Sequence, residues 1–105
     1  MADHLEDVKK YAKKPVNEKA VGGLLKTYRL VLSKPDTQYV ACSDPKERET
    51  VRKNFLEGKL GLKAGPNLDA SIEAACQAMK ADRTKSRLTF YYLLAEEHGK
   101  LGLFE

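Results

Sequence analysis

Apolar positions recur along most of the chain at intervals of three and four, the period of helices that bury one face. Asp3 and Glu6 have the spacing of a capping box, and Leu5, Val8 and Ala12 follow at helical intervals until Pro15. This predicts a first helix over 4–13. Asn17 is the next N-cap candidate, followed by Val21, Leu24, Leu25, Tyr28 and Leu32 on one face, opposite Glu18, Lys19, Lys26 and Arg29. Gly22 and Gly23 interrupt that face at about 1 kcal/mol each relative to alanine. Either another backbone packs close there or the helix starts later than Asn17.

Beyond Pro35, "DTQYVAC" has room for one helical turn begun by Asp36 that buries Tyr39 and Val40. Asp44, Pro45 and Glu47 match an N-cap, a proline at N1 and an acid at N3, which opens a helix over 45–57. Val51, Phe55 and Leu56 form its buried face, and Gly58 is placed to close it in the left-handed conformation. From about Leu68 a further helix carries Ile72, Ala75, Cys76 and Met79 on one side. The run Leu88 to Ala95 then covers almost the whole circumference of a helix, the pattern of a central, fully buried element. No strand alternation with hairpin turns is evident. The expected fold is all-α: a single domain over 1–105, with five to six helices around a central apolar C-terminal helix.

The pentapeptide "GKLGL" occurs at 58–62 and again at 99–103. Aligning the copies sets Phe55 against Glu96 and Leu56 against Glu97, so core positions oppose charged ones and a duplicated domain is excluded. Each copy follows a predicted last helical turn and contains an apolar anchor, which suits a helix stop. As a phosphate loop it lacks the required spacing and a preceding strand.

Length and composition narrow the function. A chain of 105 residues can bury roughly 65% of its unfolded surface, enough for one core. With 42% hydrophobic and 32% charged residues it is a globular mixture, and "LTFYYLLA" is far shorter than the roughly 18 residues of a bilayer span. The start, "MADHLEDVKK", shows no signal region, so a cytoplasmic protein without a membrane partner is expected. Cys42 and Cys76 have no paired C-x-x-C spacing, and neither a disulfide nor a structural metal site is expected. Cys76 reads as a small core hydrophobe and Cys42 as an inert loop thiol.

Candidate chemistry is sparse. His4 and His98 have no partners at ligand spacing, and a charged His98 suits the C-terminal end of a helix dipole. No serine-nucleophile motif is present, so no catalytic residue, metal site or cofactor is assigned. Lys9, Lys10, Lys13 and Lys14 read as a solvated face of the first helix. A second basic cluster, Lys80, Arg83, Lys85 and Arg87, lies at the N-terminal end of the last helix, with Glu96 and Glu97 at its C-terminal end. Both placements oppose the helix dipole. An anion at Arg83, Thr84, Lys85, Ser86 and Arg87 would reverse the sign of that cost; an acid from elsewhere in the fold would do the same. The anion site exists only if the last helix begins there, rather than continuing the preceding one.

The stretches "LVLSKPDTQYVACSDPKERETVRKNFLEGKLGL" and "MKADRTKSRLTFYYLLAEEHGKLGLF" resemble a family of bacterial proteins of about this length, classed as a domain of unknown function. The resemblance is most specific at "ADRTKS" and "TFYYLLAE". It implies a small stand-alone bacterial protein and brings no activity, cofactor or site residue. The expected role is a non-catalytic binding module with a protein partner. The alternative is a nucleic-acid or phosphate binder that uses residues 80–87. An enzyme ranks third, because it needs a pocket of convergent polar groups.

Overall fold

The computed structural model describes residues 4–12, 15–34, 39–40, 42–63, 65–80 and 85–104. Its helices are α1 (His4–Tyr11), α2 (Glu18–Thr27), α3 (Arg29–Ser33), α4 (Pro45–Thr50), α5 (Pro66–Ala78) and α6 (Arg87–Glu97). A π-helical segment, Val51–Lys59, continues α4, and a 3-10 turn, Leu101–Phe104, ends the described chain. The all-α expectation holds, with α6 at the centre: every residue from Arg87 to Ala95 is buried, and the helix packs on α1, α2 and α5.

The expectation of no strands is corrected on a small scale. Tyr39–Val40 (β1) pairs antiparallel with Lys85–Ser86 (β2), Tyr39 opposite Ser86 and Val40 opposite Lys85. The helical turn expected around Tyr39 and Val40 is therefore replaced by extended backbone that meets its hydrogen-bond needs across the pair. Asp36, which would have begun that turn, lies outside the described residues, as does Asp3, the expected cap of α1.

Asn17 caps α2 as expected: its side-chain Oδ1 accepts the Ala20 N–H at 3.1 Å. The Asn17 N–H donates to the Tyr92 hydroxyl at 2.9 Å, which fixes the entry of α2 to the central helix. The single helix expected through Leu32 is broken at Tyr28, whose φ of −108° and ψ of 22° end α2 before α3 starts. Of the two explanations for Gly22 and Gly23, close backbone packing is the one realised. A Cβ on Gly23 would stand 1.6 Å from the Phe104 carbonyl oxygen, whereas one on Gly22 would meet nothing within 4 Å.

The helix expected over 45–57 opens as its cap chemistry requires, with Asp44 Oδ1 accepting the Lys46 N–H at 2.9 Å. It ends later than Gly58. Leu60 is nine residues beyond Val51, about half a turn away on an α-helix but on nearly the same side of a π-helix with roughly 4.4 residues per turn. The π register therefore lets Val51, Phe55, Leu56 and Leu60 all be buried, and the Leu60 N–H reaches the Phe55 carbonyl at 2.8 Å. The left-handed glycine that stops this segment is Gly61, at φ +69°, in place of Gly58. In the second copy of the pentapeptide the first glycine does act as the stop. Gly99 has φ +66°, its N–H reaches the Glu96 carbonyl at 3.2 Å, and the Lys100 N–H reaches the Ala95 carbonyl at 2.8 Å, a Schellman closure.

The reading of the cysteines is also corrected. Cys42 and Cys76 form a disulfide with a Cα–Cα distance of 6.0 Å, tying the turn before α4 to α5. Two cysteines 34 positions apart give no spacing signal, and the fold alone brings them together. Closing a loop of that length removes chain entropy from the unfolded state equivalent to about 4 kcal/mol.

The two glycines give opposite predictions. Gly23→Ala should lower stability by about 3 kcal/mol, because a backbone carbonyl cannot rotate away as a side chain would. Gly22→Ala should raise it by up to about 1 kcal/mol through helix propensity. Urea titrations of both variants beside the parent check this, and equal effects would remove the close-packing account.

Candidate functional site

The structure separates α5, which ends at Ala78, from α6, which starts at Arg87. The last helix thus has its own N-terminus, as an anion site there requires. Ser86 is its N-cap residue and makes no side-chain capping bond. Arg83 and Thr84 lie outside the described residues. Lys85 is placed by its backbone pairing with Val40, and Lys80 is exposed.

Arg87 is placed differently from a ligand-facing cation. Its side chain is 7% exposed and forms an ion pair with Glu47 of α4. The same Nη2 donates to the Tyr39 carbonyl at 3.3 Å, while Nη1 donates to the Tyr91 hydroxyl at 2.9 Å. The guanidinium carbon also stands 5.6 Å from the Tyr91 ring centre. Glu47, expected only as a first-turn acid of α4, is therefore the internal carboxylate that offsets a cation at the positive end of α6. Sequence spacing could not reveal this partner, 40 positions away.

The aromatic rings around this cluster join it to the core. Phe55 stacks on Tyr91 at 4.0 Å and 12°, and lies nearly parallel to Phe104 at 6.0 Å. The Tyr28 ring meets Tyr91 edge-on at 5.0 Å. Burial pushes the Tyr28 and Tyr91 hydroxyls above the usual tyrosine value; Arg87 opposes that shift at Tyr91 without cancelling it.

A second polar contact was not legible in the sequence. Ser71 Oγ lies 2.9 Å from His98 Nε2, and it donates to the Asn67 carbonyl at 3.1 Å. With the serine proton on that carbonyl, Nε2 is the donor to Ser71, the reverse of what a general base acting on a nucleophile needs. Ser71 is 5% exposed, so the pair ties α5 to the end of α6. Among the described residues, no three His, Cys, Asp or Glu side chains gather in a metal-binding arrangement, and no helix is long and apolar enough to cross a membrane.

The described residues also form concavities. One, of about 270 Å³, lies between α1, α5 and α6, with Tyr11, Ala75, Leu93, Glu96 and Glu97 among its walls. Another, of about 460 Å³, runs along α2 and α3 and is lined by Leu25, Lys26, Arg29, Leu32 and Ser33. Leu30, 76% exposed, lies on α3 within that stretch.

The buried pair should show in stability. Glu47→Leu should cost about 3 kcal/mol by leaving Arg87 uncompensated, whereas combining it with Arg87→Met should recover most of that loss. A double-mutant cycle in urea checks the coupling, and additive losses would contradict it. Alkaline pH tests the tyrosines. The unfolded chain releases their protons near pH 10, while the folded chain holds them to higher pH. The folded state therefore binds more protons in that window, and stability should fall as pH rises above about 10. Tyr28→Phe should flatten that fall in denaturation curves taken between pH 9 and 11.5.

A search of the curated proteins returned no match. The family described as Protein of unknown function (DUF2853) matches residues 3–102, nearly the whole chain. Its coverage takes in the first stretch whole and the second as far as Gly102, and the chain belongs to that family.

Proposed function

We propose that this protein is a small, non-catalytic protein-interaction module whose docking surface is the α2–α3 face. The observation that carries the reading is the groove there, with an apolar floor of Leu25 and Leu32 and two cations, Lys26 and Arg29, on its walls. Its lining includes no carboxylate, and Leu30 of the same α3 is a large exposed hydrophobic side chain. The complementary partner is an amphipathic segment that presents aliphatic side chains flanked by Asp or Glu. Apolar contact supplies the driving force, while the cations orient the segment and select against basic ones.

The test is an amide-resolved NMR titration with two model helical peptides, one with leucines at i, i+3, i+4 and i+7 among glutamates, the other with lysines in place of the glutamates. The acidic peptide should move the signals of residues 25–33, and Leu30→Asp should weaken it by tenfold or more. Equal binding of the lysine peptide would refute the charge argument. Concentration-dependent shifts without any peptide would assign the face to self-association instead.

The second reading is an anion or nucleic-acid site at residues 80–87. The start of α6 at Arg87, with Ser86 making no side-chain cap, favours it. The engagement of Arg87 with Glu47 leaves the recognition to Arg83, Thr84, Lys85, Ser86 and the neighbouring Lys80. Binding of single-stranded nucleic acid there should weaken steeply with added salt. Phosphate and oligonucleotide titrations that leave the amides of residues 83–88 unmoved would end this reading.

A further inference from the structure

We propose that the Cys42–Cys76 bridge is a reversible thiol–disulfide switch that sets how tightly the start of α4 is held against α5. The chain has two cysteines, so the bridge is its one cysteine redox couple. Its ends are unequal. Cys76 is buried on the core face of α5, whereas Cys42 sits half-buried in the turn before α4.

The consequence of opening the bridge follows from how α4 is anchored. None of its six residues is buried, so α4 contributes no side chain to the core. Burial starts only in the π-helical segment, at Val51. Beyond its continuity with the π-helical segment, α4 is held by the covalent bridge two residues before its Asp44 cap and by polar ties. Arg48 Nε donates to the Cys42 carbonyl at 2.6 Å, and Arg48 Nη2 pairs with Glu73 of α5 at 2.6 Å. Glu47 pairs with Arg87. Removing the covalent tie leaves a helix held by hydrogen bonds and ion pairs, part of which is exposed to solvent.

The same ties make the change reversible. Glu73 is one turn before Cys76 on α5, so Arg48 bridges the same two elements as the disulfide and keeps the thiols close after reduction. Reduced Cys76 fits its place as a small buried hydrophobe. The step balances with an external dithiol as reductant. One thiolate attacks the Cys42 sulfur, the sulfur–sulfur bond breaks, and Cys76 leaves with the electron pair and takes up a proton. The second thiol of the reductant then displaces Cys42 from the mixed disulfide. The reductant ends as a disulfide, and the protein has gained two electrons and two protons.

The experiment is reduction of the full chain by dithiothreitol without denaturant, followed by thiol trapping and amide hydrogen exchange, in parallel with a Cys42→Ser, Cys76→Ser variant. Reduction should proceed at least about tenfold faster than α6 amides exchange. In the reduced chain and in the variant, protection of residues 44–50 should fall below that of α6 by about a hundredfold. Arg48→Ala should slow reoxidation severalfold. Reduction only at the rate of α6 exchange would show a static staple and overturn the proposal. So would an equal loss of protection in α4 and α6, which signals lower global stability alone. If the double variant does not fold, the reduced parent supplies the same comparison.

Discussion

A helix with no solvent face sets the terms for the rest of this protein. Arg87 to Ala95 of α6 are buried all round, so every polar group on that stretch must find its partner inside the fold. The contacts of Arg87, Tyr91 and Tyr92 show how this is met. Arg87 takes Glu47 from α4 and the Tyr39 carbonyl from β1, while the Tyr91 hydroxyl accepts from Arg87 and the Tyr92 hydroxyl accepts from the Asn17 backbone. All but the Arg87–Tyr91 bond, which lies within α6, also position another element, so the demands of the central helix fix where α2, α4 and β1 lie.

Around that centre the elements differ in how they are held. The π-helical segment and α5 are anchored by apolar side chains, and α2 by its close approach to the C-terminal 3-10 turn at Gly23. By contrast α4 is anchored by a disulfide and by charged groups. Polar and covalent ties respond to solution conditions in ways that buried methyl groups do not, which makes α4 the element most sensitive to the redox state of the bridge. The α2–α3 face carries an apolar groove beside two cations, lined by Leu25 and Leu32, which also pack against the core.

Much of the fold was legible in the residues because it rests on local rules. The caps at Asn17 and Asp44, the stop at Gly99 and the all-round apolar run of α6 each follow from contacts within a few positions. The candidate site was legible only in part. The start of a new helix at Arg87 agrees with the charge pattern, but the same arginine is neutralised by Glu47, an acid with a sufficient local reason of its own at the start of α4. Leu25 and Leu32 of the α2–α3 groove stand on the predicted apolar face, but periodicity reads such positions as core and does not tell a partly open groove from a buried face.

The sequence by itself determined the helical class, the central place of the last helix and most helix beginnings, since periodicity and capping act over one or two turns. Only the tertiary structure decided which glycine of the first "GKLGL" turns the chain. There the need to bury Leu60 with Val51 selects a π register and moves the stop to Gly61. The tertiary structure also decided that Cys42 meets Cys76 and that Glu47 meets Arg87. Those encounters depend on how whole helices pack, and no rule of sequence spacing reaches across 34 or 40 positions.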